Sequence, residues 1–94
     1  MTNNYKRVDD NQKEIVKALR QIPGCTVQSL AACGKGVPDL LVGWQGENIL
    51  MEIKNCKRPS AKLTSDQVKW HKAWTGGVYV VKCFEDAIEV MNNG

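Results

Sequence analysis

The stretch Pro38-Asp-Leu-Leu-Val-Gly-Trp-Gln-Gly-Glu-Asn-Ile-Leu-Met-Glu-Ile-Lys54 decides the fold. It contains two strand-like runs, Asp39 to Trp44 and Glu47 to Lys54, divided by Gln45-Gly46, which is the pattern of an antiparallel hairpin with a two-residue turn. With Gln45 and Gly46 as the turn, Trp44 faces Glu47 and Asp39 faces Glu52. Two carboxylates then stand opposite each other, with Cβ atoms about 5 Å apart, where like charges normally destabilise. Lys54, two residues beyond Glu52 on the same strand face, is one neutraliser, and a bound divalent cation is the other. Gln-Gly is a weaker turn signal than Asn-Gly, and a bulge would move this register by one residue.

Leu40 and Val42 share one face of the hairpin with Ile49, Met51 and Ile53, while Leu41 and Leu50 share the other. Both faces are apolar, which predicts a central sheet with helices on both sides. Asp39, Glu52 and Lys54 fall at the end of the Leu41 and Leu50 strip, and charges at the end of a buried strip need a reason.

Before the hairpin, Ile15, Ala18, Leu19 and Ile22 recur at helical spacing behind the acids Asp9 and Asp10, and Pro23-Gly24 stops them, which predicts a helix over 9–21. Cys25 to Ala31 is a short β-compatible run, followed by the loop residues Gly34-Lys35-Gly36. After the hairpin, Lys57-Arg-Pro-Ser60 reads as a turn. Thr64-Ser-Asp-Gln67 has the form of a capping box, and Leu63, Gln67, Trp70 and Trp74 make one helical stripe, predicting a helix over 64–75 with both tryptophans in the core. Gly76-Gly77 ends it, Val78 to Lys82 is a fourth strand, and Phe84, Ala87, Ile88 and Met91 line a last short helix. The element order is α-β-β-β-α-β-α, an α/β fold with a central mixed sheet of about four strands flanked by helices.

At 94 residues the chain has length for one domain, and 43% hydrophobic with 24% charged residues is an ordinary globular composition. Apolar runs are far shorter than the ~20 residues of a membrane helix, and the polar N-terminus has no secretory or transit character, so a cytoplasmic location is expected. Cys25, Cys33, Cys56 and Cys83 form no C-x-x-C pair, and with His71 as the single histidine they read as reduced thiols rather than a zinc site. The net charge of +3 says little. Its distribution says more: Lys54, Lys57, Arg58, Lys62, Lys69 and Lys72 are accompanied by one acid, Asp66, so this segment is either a solvated basic face or a track for a phosphate backbone.

Gly36-Val-Pro-Asp-Leu40, then Glu52-Ile-Lys54, then Gln67 and Trp70, resemble in that order the signature of the PD-(D/E)XK nucleases, and among them the small stand-alone VRR-Nuc domains. The resemblance runs from Glu14 to the strand ending at Lys82 and implies a restriction-endonuclease-like core occupying residues 1–94. It implies a divalent-metal-dependent DNA endonuclease. Carried over residue by residue, Asp39 and Glu52 would bind Mg²⁺, with Mn²⁺ able to substitute, joined by the backbone carbonyl of Ile53. Lys54 would orient the attacking water and stabilise charge at the phosphate, and Gln67 would support the lysine or the nucleic acid. Glu14 matches the position of a helical carboxylate that reaches the metal or its waters.

Each assignment has a plainer counterpart. Glu14 also reads as an exposed helical acid, Gln67 as the third residue of a capping box, and Asp39, Glu52 and Lys54 as a structural ion-pair cluster. Ser29, Lys35, Lys57, Arg58 and Lys62 are candidate DNA contacts, against solvated surface positions. His71 reads as an exposed helix residue. The relatives so resembled are regarded as Holliday-junction resolvases of viral or bacterial setting, which implies branched four-way DNA as substrate and a homodimer, because paired cuts need two sites related by a twofold axis. The alternatives are a nicking or restriction-type nuclease on duplex or flap DNA and, from another class, a non-catalytic DNA-binding module.

Overall fold

The computed structural model describes residues 10–55 and 62–93. The elements are α1 (Asp10–Arg20), β1 (Thr26–Ser29), a 3-10 turn (Ala31–Cys33), β2 (Leu40–Trp44), β3 (Glu47–Ile53), α2 (Ser65–Ala73), β4 (Val78–Val81) and α3 (Phe84–Asn93). The order α-β-β-β-α-β-α is thus the observed one, with helix and strand ends displaced by a residue or two. Lys57, Arg58, Cys56 and the proposed cap Asp9 lie outside the described residues.

The four strands form one mixed sheet in the order β1-β2-β3-β4. β1, β2 and β3 are antiparallel neighbours, and β4 returns parallel to β3 through α2. Trp44 pairs with Glu47 and Leu40 with Met51, so the hairpin register is the one a two-residue turn dictates, without a bulge. Gln45 and Gly46 both have positive φ, 49° and 81°, the backbone of a type I′ turn whose twist matches the strands it joins.

Alternation along the strands then sorts the side chains. Leu40, Val42, Ile49, Met51, Ile53 and Val81 are buried on one face, with Ile15 and Leu19 of α1 and Ala87 and Met91 of α3 completing that core. The opposite face departs from the expectation of equal cover. Of α2, only Gln67 is buried, and Val80 on this face remains 42% exposed. Leu41 lies half-buried beside an open hollow of about 260 Å³ that Thr26, Gln28, Gly43 and Asn48 also line. The reason is length and composition: nine residues span only about 14 Å, and Ser65, Asp66, Lys69 and Lys72 offer no apolar surface to lay on the sheet. Trp74 is accordingly 47% exposed rather than core, stacked on half-buried Trp70 with ring centroids 4.8 Å apart.

No helix of the described residues is long and apolar enough to cross a membrane.

Candidate functional site

Two carboxylates are buried among the described residues, Asp39 with 5% and Glu52 with 1% of its surface exposed. Asp39 immediately precedes β2, and its carbonyl accepts a 2.8 Å hydrogen bond from Leu30 N, which ties the Pro38-Asp39 segment to the end of β1. Its carboxylate Oδ2 accepts a 2.8 Å hydrogen bond from Ile53 N, across the hairpin. The like-charge problem posed by the register is thereby eased on the Asp39 side by a backbone donor.

Glu52 is held from α2. Gln67 Nε2 donates to Glu52 Oε2 at 3.0 Å, while Gln67 Oε1 accepts from Lys54 Nζ at 2.8 Å and from Thr64 N at 2.9 Å. Gln67 N in turn donates to Thr64 Oγ1 at 3.2 Å, closing the capping box. One carboxamide therefore ends the helix and joins the carboxylate to the lysine, so the capping and site roles of Gln67 coincide. Lys54 Nζ also stands 4.0 Å from Glu52 Oε2, its side chain 15% exposed. The backbone of Lys54 is fixed separately: its N–H donates to Val81 O at 2.9 Å, and its carbonyl accepts from Asn11 Nδ2 at 3.0 Å.

The Gly34-Lys35-Gly36 loop, which leads into Asp39, packs on α2. Gly36 has φ +84°, and a Cβ there would collide with the Asp66 carbonyl, so the loop packs on the first turn of α2, next to Gln67, only as glycine. Lys35 itself has φ 51° and points out with an exposed side chain.

His71 is the residue that sequence reasoning passed over. Its side chain is 14% exposed, not a surface position, and Nε2 lies 4.0 Å from Glu52 Oε1 without a hydrogen bond. Burial, followed by the charge of Lys54, holds its pKa below the ordinary histidine value. The signal was present: His71 follows Gln67 by one helical turn and must share its face.

Other candidates are placed elsewhere. Glu14 is exposed on α1 and does not join Asp39 and Glu52; among the described residues no three His, Cys, Asp or Glu side chains come together as a metal cluster. Asn11, one turn earlier, is the α1 side chain that reaches this end of the sheet. Ser29 pairs with Leu40 and so projects toward the α1 side, where its Oγ accepts from Ala31 N at 3.3 Å. Lys62 is exposed, and Cys25, Cys33 and Cys83 are free thiols.

The buried pair Asp39 and Glu52, on facing arms of the hairpin, has the donor chemistry a hard cation takes. Asp39 and Glu52 offer carboxylate oxygens, and Mg²⁺ is commonly held by one or two carboxylates together with waters and a substrate phosphate rather than by a full protein cage. No protein-family model matches the chain, and neither the curated proteins nor the solved structures compared with it give a match.

Proposed function

We propose that the protein is a divalent-metal-dependent DNA endonuclease of the PD-(D/E)XK type, selective for branched DNA. The observation that carries this reading is the chain of contacts from Glu52 through Gln67 to Lys54, beside buried Asp39. A structural ion pair has no need of a buried amide that bridges a buried carboxylate to a lysine, nor of a second buried carboxylate on the facing arm of the hairpin. The element order and the hairpin register, on which the likeness to VRR-Nuc domains depends, also support it.

In this reading Asp39, Glu52 and the carbonyl of Ile53 hold Mg²⁺, or Mn²⁺ in its place. When bound, the ion supplies Lewis-acid polarisation of the phosphate and a more acidic water. The protein's own part is positional. Gln67 fixes one oxygen of Glu52 and leaves the carboxylate a single orientation, and the Ile53 N–H does the same for Asp39. Lys54, held by Gln67 Oε1, places a positive charge where the pentavalent phosphorane is most negative and orients the attacking water. The water oxygen bonds to phosphorus and gives up one proton to bulk water, the P–O bond to the 3′ or 5′ oxygen breaks, and that oxygen takes a proton from solvent. Lys62 and, outside the described residues, Lys57 and Arg58 would contact the DNA backbone.

A dimer in a reducing cytoplasm belongs to the same proposal. Val68 of α2, Trp74 just past its end, and Tyr79 and Val80 of β4 are exposed apolar side chains of the kind a twofold contact covers. The test is cleavage of an end-labelled four-way junction beside a linear duplex of the same arms, with Mg²⁺, with EDTA, and with Glu52→Gln. Paired symmetric cuts in the junction, lost with EDTA and with the substitution, are expected. Equal cutting of both substrates replaces branch selectivity by a nicking or restriction-type activity, and binding without cutting replaces the enzyme by a DNA-binding module.

A further inference from the structure

A cavity lies on the other side of the sheet from α2. It is a groove of about 570 Å³ between α1 and the edge strand β1. Lys13, Lys17 and Arg20 line it, and no Asp or Glu does. These cations follow one another at four and three residues, the spacing that puts them on one face of a helix. Arg20 is braced by a 2.9 Å bond from its guanidinium to Val27 O, which leaves further donors on the fork for another acceptor. Val16 and Val27 form an apolar floor. The groove runs to Ser29 and Leu40, at the end of β2 that Asp39 precedes, while Glu52 and Gln67 stand on the opposite face of the sheet, so a strand lying in the groove would reach them around that sheet end.

We propose that this groove binds the phosphate backbone of a single-stranded nucleic-acid segment leading to the Asp39 and Glu52 site. In that destination it rests on the nuclease reading; as a binding site it rests on the groove alone. Lys13 to Arg20 covers about 10 Å of helix axis, at 1.5 Å per residue. A stacked strand advances about 3.4 Å per phosphate, so the three cations span about three phosphate steps. The width argues for one strand rather than two, because the enclosed volume is that of a small-ligand pocket of ~300–1,000 Å³. An acidic peptide would bring the same sign of charge, but the regular axial stepping of the cations, close to the repeat of successive phosphates, fits a phosphodiester chain. Lys13 and Lys17 are solvent-exposed, so replacing them leaves the core intact.

The test measures anisotropy of a fluorescein-labelled oligothymidylate of about a dozen nucleotides, in EDTA, over a series of salt concentrations. Each phosphate neutralised on a single strand contributes about 0.7 to the slope of log K against log salt. Lys13→Ala with Lys17→Ala is expected to flatten that slope by about 1.4 and weaken binding at low salt by at least tenfold. Lys17→Glu alone weakens it comparably, and Lys82→Ala, outside the groove, changes neither quantity. No saturable binding by the wild-type protein, an unchanged slope in the double variant, or equal loss in Lys82→Ala overturns the proposal. Cleavage by the wild-type protein in Mg²⁺ is read separately. Groove-dependent binding without cleavage removes the nuclease reading and keeps the groove, whereas cleavage without groove dependence removes the groove alone.

Discussion

The carboxamide of Gln67 and the carboxylate of Glu52 are joined by a 3.0 Å hydrogen bond in the interior, between a helix start and the third strand. With the bond from Lys54 Nζ to Gln67 Oε1, this contact ties α2 to the third strand. Gln67→Ala removes it together with the bonds to Thr64 N and Lys54 Nζ. Stability is expected to fall by about 1–3 kcal/mol, the cost of leaving buried polar groups short of partners. Metal affinity, read by calorimetry with Mn²⁺, falls about 10–100-fold, as expected for loss of a group that orients a ligand. Unchanged Mn²⁺ binding in a folded variant would show that Gln67 only caps the helix.

Glu52→Gln separates stability from function. It removes a charge from a position with 1% exposure while keeping volume, so the metal-free protein is expected to melt no lower than wild type. Cleavage drops at least a hundredfold. A large loss of thermal stability with normal cleavage would make Glu52 part of a structural ion pair instead.

Gly36→Ala is expected to destabilise by about 2–3 kcal/mol, because the residue has φ +84° and the added Cβ meets the Asp66 carbonyl. A denaturant midpoint within error of wild type would show that the loop can leave α2 freely.

His71 gives the metal-free fold a pH dependence. Its pKa is lowered in the folded state, chiefly by burial and then by Lys54, so between the folded and unfolded values the unfolded chain binds the extra proton. The stability it supports is full above the ordinary histidine pKa and is lost as pH falls below it. Thermal melts from about pH 8 to 5 are expected to decline, and His71→Gln should flatten the decline. An identical slope in the variant would assign the effect to other groups.

At the hairpin, Gln45 occupies a left-handed backbone with φ 49° beside Gly46. Gln45→Asn is expected to stabilise by roughly 0.5–1 kcal/mol, since asparagine tolerates this conformation better. A chemical-denaturation midpoint that moves down would contradict it.

Much of this arrangement was legible beforehand. The Gln45-Gly46 turn dictated the register, and strand period two then placed Leu40, Val42, Ile49, Met51 and Ile53 together. Thr64-Ser-Asp-Gln67 announced its own capping box. Trp74 was misplaced because helical spacing shows which residues share a stripe, not whether the partner surface reaches that far, and α2 ends at Ala73. Of the two readings of Glu14 the structure has the exposed helical acid: one helical step of about 100° separates the face that packs from the face that does not, and Asn11 is the α1 side chain bonded to Lys54. The α1 groove was invisible because it depends on the edge strand β1 lying beside Lys13, Lys17 and Arg20, a neighbourhood no local pattern encodes.

Asn11 Nδ2 lies 3.0 Å from the Lys54 carbonyl and 3.4 Å from that of Lys82. One amide from the first helix thus spans the ends of the parallel strand pair, linking residues from the early, middle and late chain. During synthesis, at ~5–20 residues per second, the hairpin and its carboxylates can emerge from the ribosome well before Lys82 does. The lysine of the site acquires its final backbone setting only when β4 has joined the sheet. A nascent fragment therefore carries the acids without a finished centre, and the proposed phosphodiester chemistry would wait until the last strand has docked.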